Sequence, residues 1–495
     1  MTATSPSASP PGCASRPGWG RAGRLVGRPV VEAVRASAGP IGHTGRVHVI
    51  IVGAGEVGRY LAQRLGAEGH DIVIVEQDEL AAASIGEELD VQVVVGNATA
   101  PSVLAAAGVD RADVLAGVTQ NDEVNFIASL LAKEAGVEQT VARIQAEELR
   151  GPAGQTLRDA MRADLIIDPD ADTADEIMEL ARVSGADEVY RMSDGELIVL
   201  GAVIAEGAPL AGSTLADIRA SSSDDRPFLF GALTRRSETV IPRGDQRLEV
   251  GDHVRVLTHR SARHRILELL GARHRRAKRA MVLGGGAVGS RVAERLADEG
   301  SEVVLVERDL DLAKQLSERL SRVTVVHGDI EDVDLLNEES ITRMDLVIAA
   351  TGDDAANVLA CAFAAAEKRT FTVCVLHRLA LLPIVRRFGI DAALSPRTAS
   401  ANAVLRHVRT GTASVATFLE SDIEVDEFRI EAGSPADGAR VVDLHLPHSM
   451  VLGAVIHPGQ EGEIVSGDTT LHADDNVVCF VRPDAIPALR KAFSA

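Results

Sequence analysis

From Val47 onward, short apolar runs alternate with segments whose apolar residues recur at helical spacing. The run beginning at Val47 is followed by predicted strands at 71–76, 91–95, 113–118 and 140–144. Between them the pattern predicts a helix after Gly58, helices at Leu80–Leu89 and from Pro101, and a long helix over Asn125–Ala135. Nearly continuous apolar strands separated by helices predict a parallel sheet covered on both faces. The same order restarts at residue 280. There the predicted strands are 302–307, 323–326, 345–350 and 372–376, with a helix near Thr398–Arg409 that matches one near Thr173–Val183.

Between and after these regions the pattern changes. Shorter alternating segments at Glu188–Met192, Leu197–Ile204 and Val254–Leu257 are echoed at Val425–Ile430, Met450–Ile456 and Val477–Val481. Corresponding landmarks lie 223 to 232 residues apart, from Gly53/Gly284 to Asp252/Asp475. The chain therefore reads as a duplicated two-domain unit. The fold class is α/β: two Rossmann-like doubly wound parallel-sheet domains, each followed by a small α+β domain. The expected boundaries are a tail at 1–45, domains at 46–165 and 166–262, a basic linker with a solvated helix at 263–279, and domains at 280–400 and 401–495.

Two glycine motifs carry the candidate chemistry. Gly53-Ala54-Gly55-Glu56-Val57-Gly58 and Gly284-Gly285-Gly286-Ala287-Val288-Gly289 each join a predicted strand to a helix. The first glycine permits the tight turn, the second lets backbone approach a pyrophosphate, and the third lets helix pack on strand. The helix N-terminus adds unpaired N–H groups and a positive dipole end. An acid closes the following strand 21 residues after the middle glycine in both repeats, Glu76 and Glu307. A carboxylate there can accept from ribose hydroxyls and disfavours a 2′-phosphate, so NAD(H) or an adenine nucleotide fits better than NADP(H). A surface acid at a strand end is the alternative.

Ligands of such sheets sit beyond the strand C-termini. Asn97, Ala98, Thr119 and Gln120 fall there and can line an adenine and ribose pocket; Arg143 can meet a phosphate, or be a surface arginine. Asp329 and Thr351 are their counterparts in the second repeat, but Val375 stands where Arg143 would, with His377 and Arg378 nearby. The acids Asp122, Glu123, Asp353 and Asp354, the first pair flanked by Asn121 and Asn125, can bind a hard cation or serve as solvated acids and helix caps. The second use is preferred, and no metal ligand is assigned.

Composition narrows the function. With 51 basic and 72 acidic side chains the net charge is −21, which opposes nucleic-acid binding, and 3% aromatics leave few base-stacking platforms. No run of 18 or more apolar residues is present to span a membrane. Cys13, Cys361, Cys374 and Cys479 are scattered, which points to a reducing compartment without a zinc site. Residues 1–45, rich in Pro, Gly, Ser, Ala and Arg with Glu32 as their single acid, are expected to be disordered and dispensable, though their composition resembles a transit peptide. A catalytic constellation is not recognisable around His253, His445 or His457, so an enzyme is not expected.

The first glycine motif, Glu76, the Thr119–Asn125 segment and Arg143 together resemble the RCK/KTN regulatory domain. Pro209-Leu210, Leu215, Leu248 and Gly251-Asp252 resemble its C-terminal companion. The N–C–N–C order over 46–495, about nine-tenths of the chain, is similar to the regulatory subunits of Trk-type potassium-uptake systems. The resemblance implies a cytosolic, non-enzymatic subunit that binds NAD(H) and ATP or ADP. It further implies a tetrameric homo-oligomer, peripheral on the inner face of the cell membrane, that gates a membrane-embedded potassium-translocating subunit. The nucleotide residues it implies are Gly53–Gly58, Glu76, Asn97, Ala98, Thr119 and Arg143, then Gly284–Gly289, Glu307, Asp329 and Thr351. An NAD-dependent oxidoreductase and a nucleotide-sensing subunit of another cation transporter or antiporter are the alternatives.

Overall fold

The computed structural model describes residues 46–495 apart from 147–153, 184, 193–194, 222–227, 237, 273–276, 367–368, 409–411 and 418–422. The properties expected of residues 1–45 lie outside the described residues. The first parallel sheet contains β1 (His48–Val52), β2 (Asp71–Glu76), β3 (Gln92–Val95), β4 (Val114–Gly117), β5 (Gln139–Arg143) and β6 (Leu165–Ile167), in the order β3-β2-β1-β4-β5-β6. Every residue of β1 is buried, as a strand covered on both faces requires. Strand order reverses between β1 and β4, which opens a crevice beyond their C-termini.

The antiparallel sheet that follows contains β7 (Glu188–Met192), β8 (Leu197–Val203), β9 (Phe228–Arg235), β10 (Glu238–Val240) and β11 (His253–His259), in the order β10-β9-β11-β8-β7. The second parallel sheet repeats the first: β12 (Arg279–Leu283), β13 (Glu302–Glu307), β14 (Val323–His327), β15 (Leu346–Ala349), β16 (Phe371–Val375) and β17 (Ala392–Leu394), ordered β14-β13-β12-β15-β16-β17. The last sheet holds β18 (Thr412–Thr417), β19 (Glu424–Arg429), β20 (Met450–Ile456), β21 (Glu463–Ile464) and β22 (Asn476–Val481), ordered β18-β19-β22-β20-β21. The fold is thus the expected pair of Rossmann-like sheets with two small antiparallel sheets. No described helix is long and apolar enough to cross a membrane.

The sequence pattern passes over β9. A bulge at Gly231 breaks its alternation, and the same irregularity recurs at Gly453 in β20. The two antiparallel sheets share one apolar cluster, with Leu197, Val199, Ala232 and Leu257 packed with Val425, Ala454, Val478 and Phe480. A Cβ at Gly231 would stand 2.2 Å from the Phe480 ring, so the glycine admits that ring from the opposite half.

The helix after each parallel sheet packs into the other half. Helix Pro169–Arg182 begins four residues before the predicted Thr173, because Asp168 caps it and Pro169 opens its first turn. Its Ala174, Ile177, Met178 and Ala181 join Val292, Leu296, Val373 and Leu394 in one core. Helix Pro396–Val408 places Ala401, Val404, Leu405 and Val408 among Ile51, Leu61, Leu65 and Val141 of the first half. The spacing i, i+3, i+4, i+7 is the apolar stripe of a surface helix. Helix Arg263–Leu269 is likewise no solvated connector: Ile266 and Leu267 are fully buried in the same core as β8 and β11.

Leu405→Ala, a change in the second half, is expected to cost about 2–5 kcal/mol. Hydrogen exchange should speed up in helix Glu56–Ala67 of the first half; exchange confined to residues 396–408 would contradict the packing.

Candidate functional site

Both glycine motifs form strand–turn–helix junctions at the reversal of strand order. Gly53 and Gly284 take φ of 108° and 102°, a region L-residues avoid, and donate to Val75 and Val306 carbonyls at 2.9 and 2.8 Å. A Cβ at Gly58 or Gly289 would lie 1.9 Å from the carbonyl oxygen of Gly53 or Gly284, so only glycine lets the helix start so close to the strand. The middle glycines differ. Gly55 and Gly286 are exposed, and a Cβ on either would meet no atom within 4 Å. Each is the N-cap of its helix, Glu56–Ala67 or Ala287–Asp298, and neither helix has a side-chain cap. The first-turn N–H groups, at Glu56, Val57 and Gly58 and at Ala287, Val288 and Gly289, therefore lack a capping side chain and have the helix dipole behind them.

The two strand-end acids brace these loops. Glu76 accepts from the Ala54 N–H at 2.7 Å and from Gln77 and Asp78 at 2.8 and 2.9 Å. Glu307 accepts from the Gly285 N–H and the Asp309 N–H, both at 2.7 Å. A carboxylate offers about four acceptor positions, so each retains capacity for a hydroxyl donor.

The opposite wall is held by the asparagine that closes the Thr119–Asn125 segment and flanks the candidate cation acids. Asn125 is fully buried; its Oδ1 accepts from the Thr119 N–H and Oγ1 at 3.0 and 2.8 Å, and its Nδ2 donates to Thr119 and Arg143 carbonyls at 3.0 and 2.9 Å. Asn357 repeats this with Thr351 and Val375, the four distances running from 2.6 to 3.1 Å. The available signal was its recurrence six residues after each threonine. Asp122 accepts from the Gln145 and Ala146 N–H groups, Asp354 from those of His377 and Arg378, and Asp353 caps its helix. Asp122 and Asp354 thus hold the backbone beyond the next strand rather than standing as solvated acids, and only the neighbouring Asp353 acts as the expected helix cap. Asn97 and Asp329 close matching turns onto the N–H groups of Thr99 and Glu331 at 2.9 and 3.0 Å. Ala98 is buried and Gln120 exposed.

Arg143 ends β5 with its Nε buried and without a hydrogen-bond partner. Burial lowers the guanidinium pKa from its ordinary value, against the raising effects of Asp170 and Asp122. A desolvated cation with an unused donor at this crevice is suited to an anion such as a phosphate. In the second half Val375 is 2% exposed and apolar, while His377 and Arg378 turn onto Asp354 at 3.0 and 3.4 Å.

The first loop, and the helix that follows the second, also touch the exchanged helices. Glu56 pairs with Arg397, and Arg291 reaches Asp168, the cap of helix Pro169–Arg182, at 3.0 Å. A separate cavity of about 350 Å³, lined by Arg182, Arg263, Leu296 and Glu299, lies at the far end of the Ala287 helix, which is about 18 Å long at 1.5 Å per residue.

Comparison with known proteins agrees with this architecture. The TrkA-N domain family matches residues 49–169 and 280–396, and the TrkA-C domain family matches 199–271 and 425–494. The chain is 31% identical over 451 residues to the Trk system potassium uptake protein TrkA of Azorhizobium caulinodans, covering 90% of this chain and 98% of that one. It is 32% identical over 440 residues to the protein of the same name from Halomonas elongata, covering 88% and 95%. The fold is shared with the GsuK RCK domain, at TM-score 0.55 and 18% identity over 92% of this chain and 96% of that one.

Arg143→Gln should leave the ligand-free protein at least as stable, since a desolvated charge is removed. It should weaken binding of NADH or ADP by about ten- to a hundredfold, the scale of a hydrogen bond to a charged group. Titration calorimetry on both proteins checks this; equal affinities would take Arg143 out of the site.

Proposed function

The chain belongs to the TrkA family of Trk potassium-uptake proteins, and on that premise we propose that it is a cytosolic nucleotide-sensing regulatory subunit acting on a membrane-embedded potassium-translocating partner. The carrying observation is the pair of glycine loops, each open at its middle glycine, with Glu56 of the first and Arg291 of the helix after the second reaching the exchanged helix or its cap from the other half. NAD(H) and adenine nucleotides are the ligands proposed, as one diphosphate with a ribose suits the Gly53–Gly58 and Gly284–Gly289 loops with Glu76 and Glu307. Asn97, Ala98, Thr119, Gln120 and Arg143 would line the first pocket, and Asp329 and Thr351 the second.

A ligand moves an equilibrium only by its differential affinity for the two states. A nucleotide that fits one arrangement of the halves better than another would bias that arrangement through the Glu56–Arg397 and Arg291–Asp168 contacts. A coupling of about 1–3 kcal/mol corresponds to roughly five- to 150-fold in partner activity. The proposed working form is a homo-oligomer, a tetramer, whose mass in solution light scattering checks directly.

Nucleotide at about a hundred times Kd should stabilise the native chain by about 2.7 kcal/mol. Thermal shifts are expected with NADH and adenine nucleotides and should be weak with NADPH. Gly55→Asp, which puts a carboxylate into the open space of the first loop, should abolish the first-site shift and the nucleotide dependence of potassium uptake by cells carrying the partner. Uptake that keeps its nucleotide dependence after Gly55→Asp and Gly286→Asp together have abolished binding would defeat the reading. NADH turnover with a small carbonyl substrate would favour an oxidoreductase instead.

A further inference from the structure

The two antiparallel sheets share one strand order, and at one place their chemistry differs. Strand β9 runs beside β11 with Thr234 opposite His253, and β20 runs beside β22 with Ile456 opposite Asn476. Both pairs carry the same bulge, at Gly231 and at Gly453. Arg235 and His457, one residue further on, are therefore equivalent. Asp252 and Asp475, the residues before β11 and β22, are equivalent too, and each is 1% exposed. Each accepts a backbone N–H from three residues earlier at 2.7 Å, from Glu249 in one case and His472 in the other.

In the first sheet the buried carboxylate is neutralised permanently. Arg235 donates to both oxygens of Asp252 at 2.7 and 2.8 Å and to Glu249 at 2.9 Å. In the second sheet the guanidinium is replaced by an imidazole and the glutamate by another. His457 Nδ1 lies 2.7 Å from Asp475 Oδ1, His472 Nδ1 lies 3.8 Å from Oδ2, and the two rings stand 5.8 Å apart. One ligand atom from each of the three side chains fits within 4.8 Å of the others.

We propose that His457, His472 and Asp475 bind one divalent transition-metal cation of the zinc class, seated where the first sheet holds the Arg235 guanidinium. Two imidazoles and one carboxylate are a donor set for such ions at tetrahedral sites with a fourth position open. A buried carboxylate needs a compensating cation, and a dication would supply it while using both rings. The ion would tie the turn after β20 to the turn before β22. Scattered cysteines argue against a thiolate site, and this one needs none. The other such group among the described residues, Asp187, Glu188 and His253, already holds a cation, because the Arg255 guanidinium grips Glu188 at 2.7 and 2.9 Å.

The test is a zinc titration of the chelator-stripped full chain without nucleotide, followed by calorimetry and, with cobalt, by visible absorption. His472→Ala removes a ligand that is 60% exposed. His457→Arg restores the cation found in the first sheet, so it should fold without metal and melt no lower than the stripped wild type. Wild type should bind one saturable equivalent more than either variant, and zinc should raise its melting temperature but not that of His457→Arg. No saturable binding by wild type, or the same stoichiometry in all three proteins, would overturn the proposal.

Discussion

Each parallel sheet lacks one helix on one face, and the other half of the chain supplies it. The face of the first sheet that carries Ile51 and Val141 is closed by helix Glu56–Ala67 together with helix Pro396–Val408. The corresponding face of the second is closed by helices Ala287–Asp298 and Pro169–Arg182. Burying a leucine or isoleucine side chain is worth about 1.5–3 kcal/mol, so either half alone would expose several such residues on each sheet and each helix. Each half therefore completes the core of the other, and the halves form one body. The meeting of the antiparallel sheets, with Phe480 lying on Gly231, continues the same seam.

The seam runs past the glycine loops because the helices that bury it begin there. Helix Glu56–Ala67 starts at Gly55 and packs along the Pro396 helix, so the Glu56–Arg397 pair sits at the loop itself. A ligand at a helix N-terminus in this arrangement acts on the contact between halves without any intermediate element. That proximity would give a bound ligand leverage over the arrangement of the halves.

Duplication also lets equivalent positions be compared as if one were a variant of the other. The buried amides Asn125 and Asn357 make the same four bonds, since both walls need a strand end tied to a helix start. Charges diverge. Arg143 keeps a buried donor unused where Val375 closes the core, and Asp354 takes up His377 and Arg378 where Asp122 holds backbone alone. Backbone requirements repeat because the fold imposes them twice, whereas ligand chemistry is free to differ.

The sequence by itself determined the periodic elements, the parallel sheets, the duplication and the glycine turns. Each of these follows from local spacing: period two or 3.6 along the chain, and a positive φ that glycine alone accepts readily. Glu76 was legible as a loop-side acid from its distance to Gly55, but its bond to the Ala54 N–H was not, since spacing does not say which lone pairs are taken. Only the tertiary structure decided what the stripe Ala401, Val404, Leu405 and Val408 covers. An amphipathic stripe states that a face is buried and not against what. It likewise decided that the Arg263 helix is packed, that β9 is a strand despite its bulge, and that His457 lies beside Asp475, because those facts join residues from separate turns. Local sequence records the preferences of each segment, and contacts between distant segments are settled only when all the apolar faces must be covered at once.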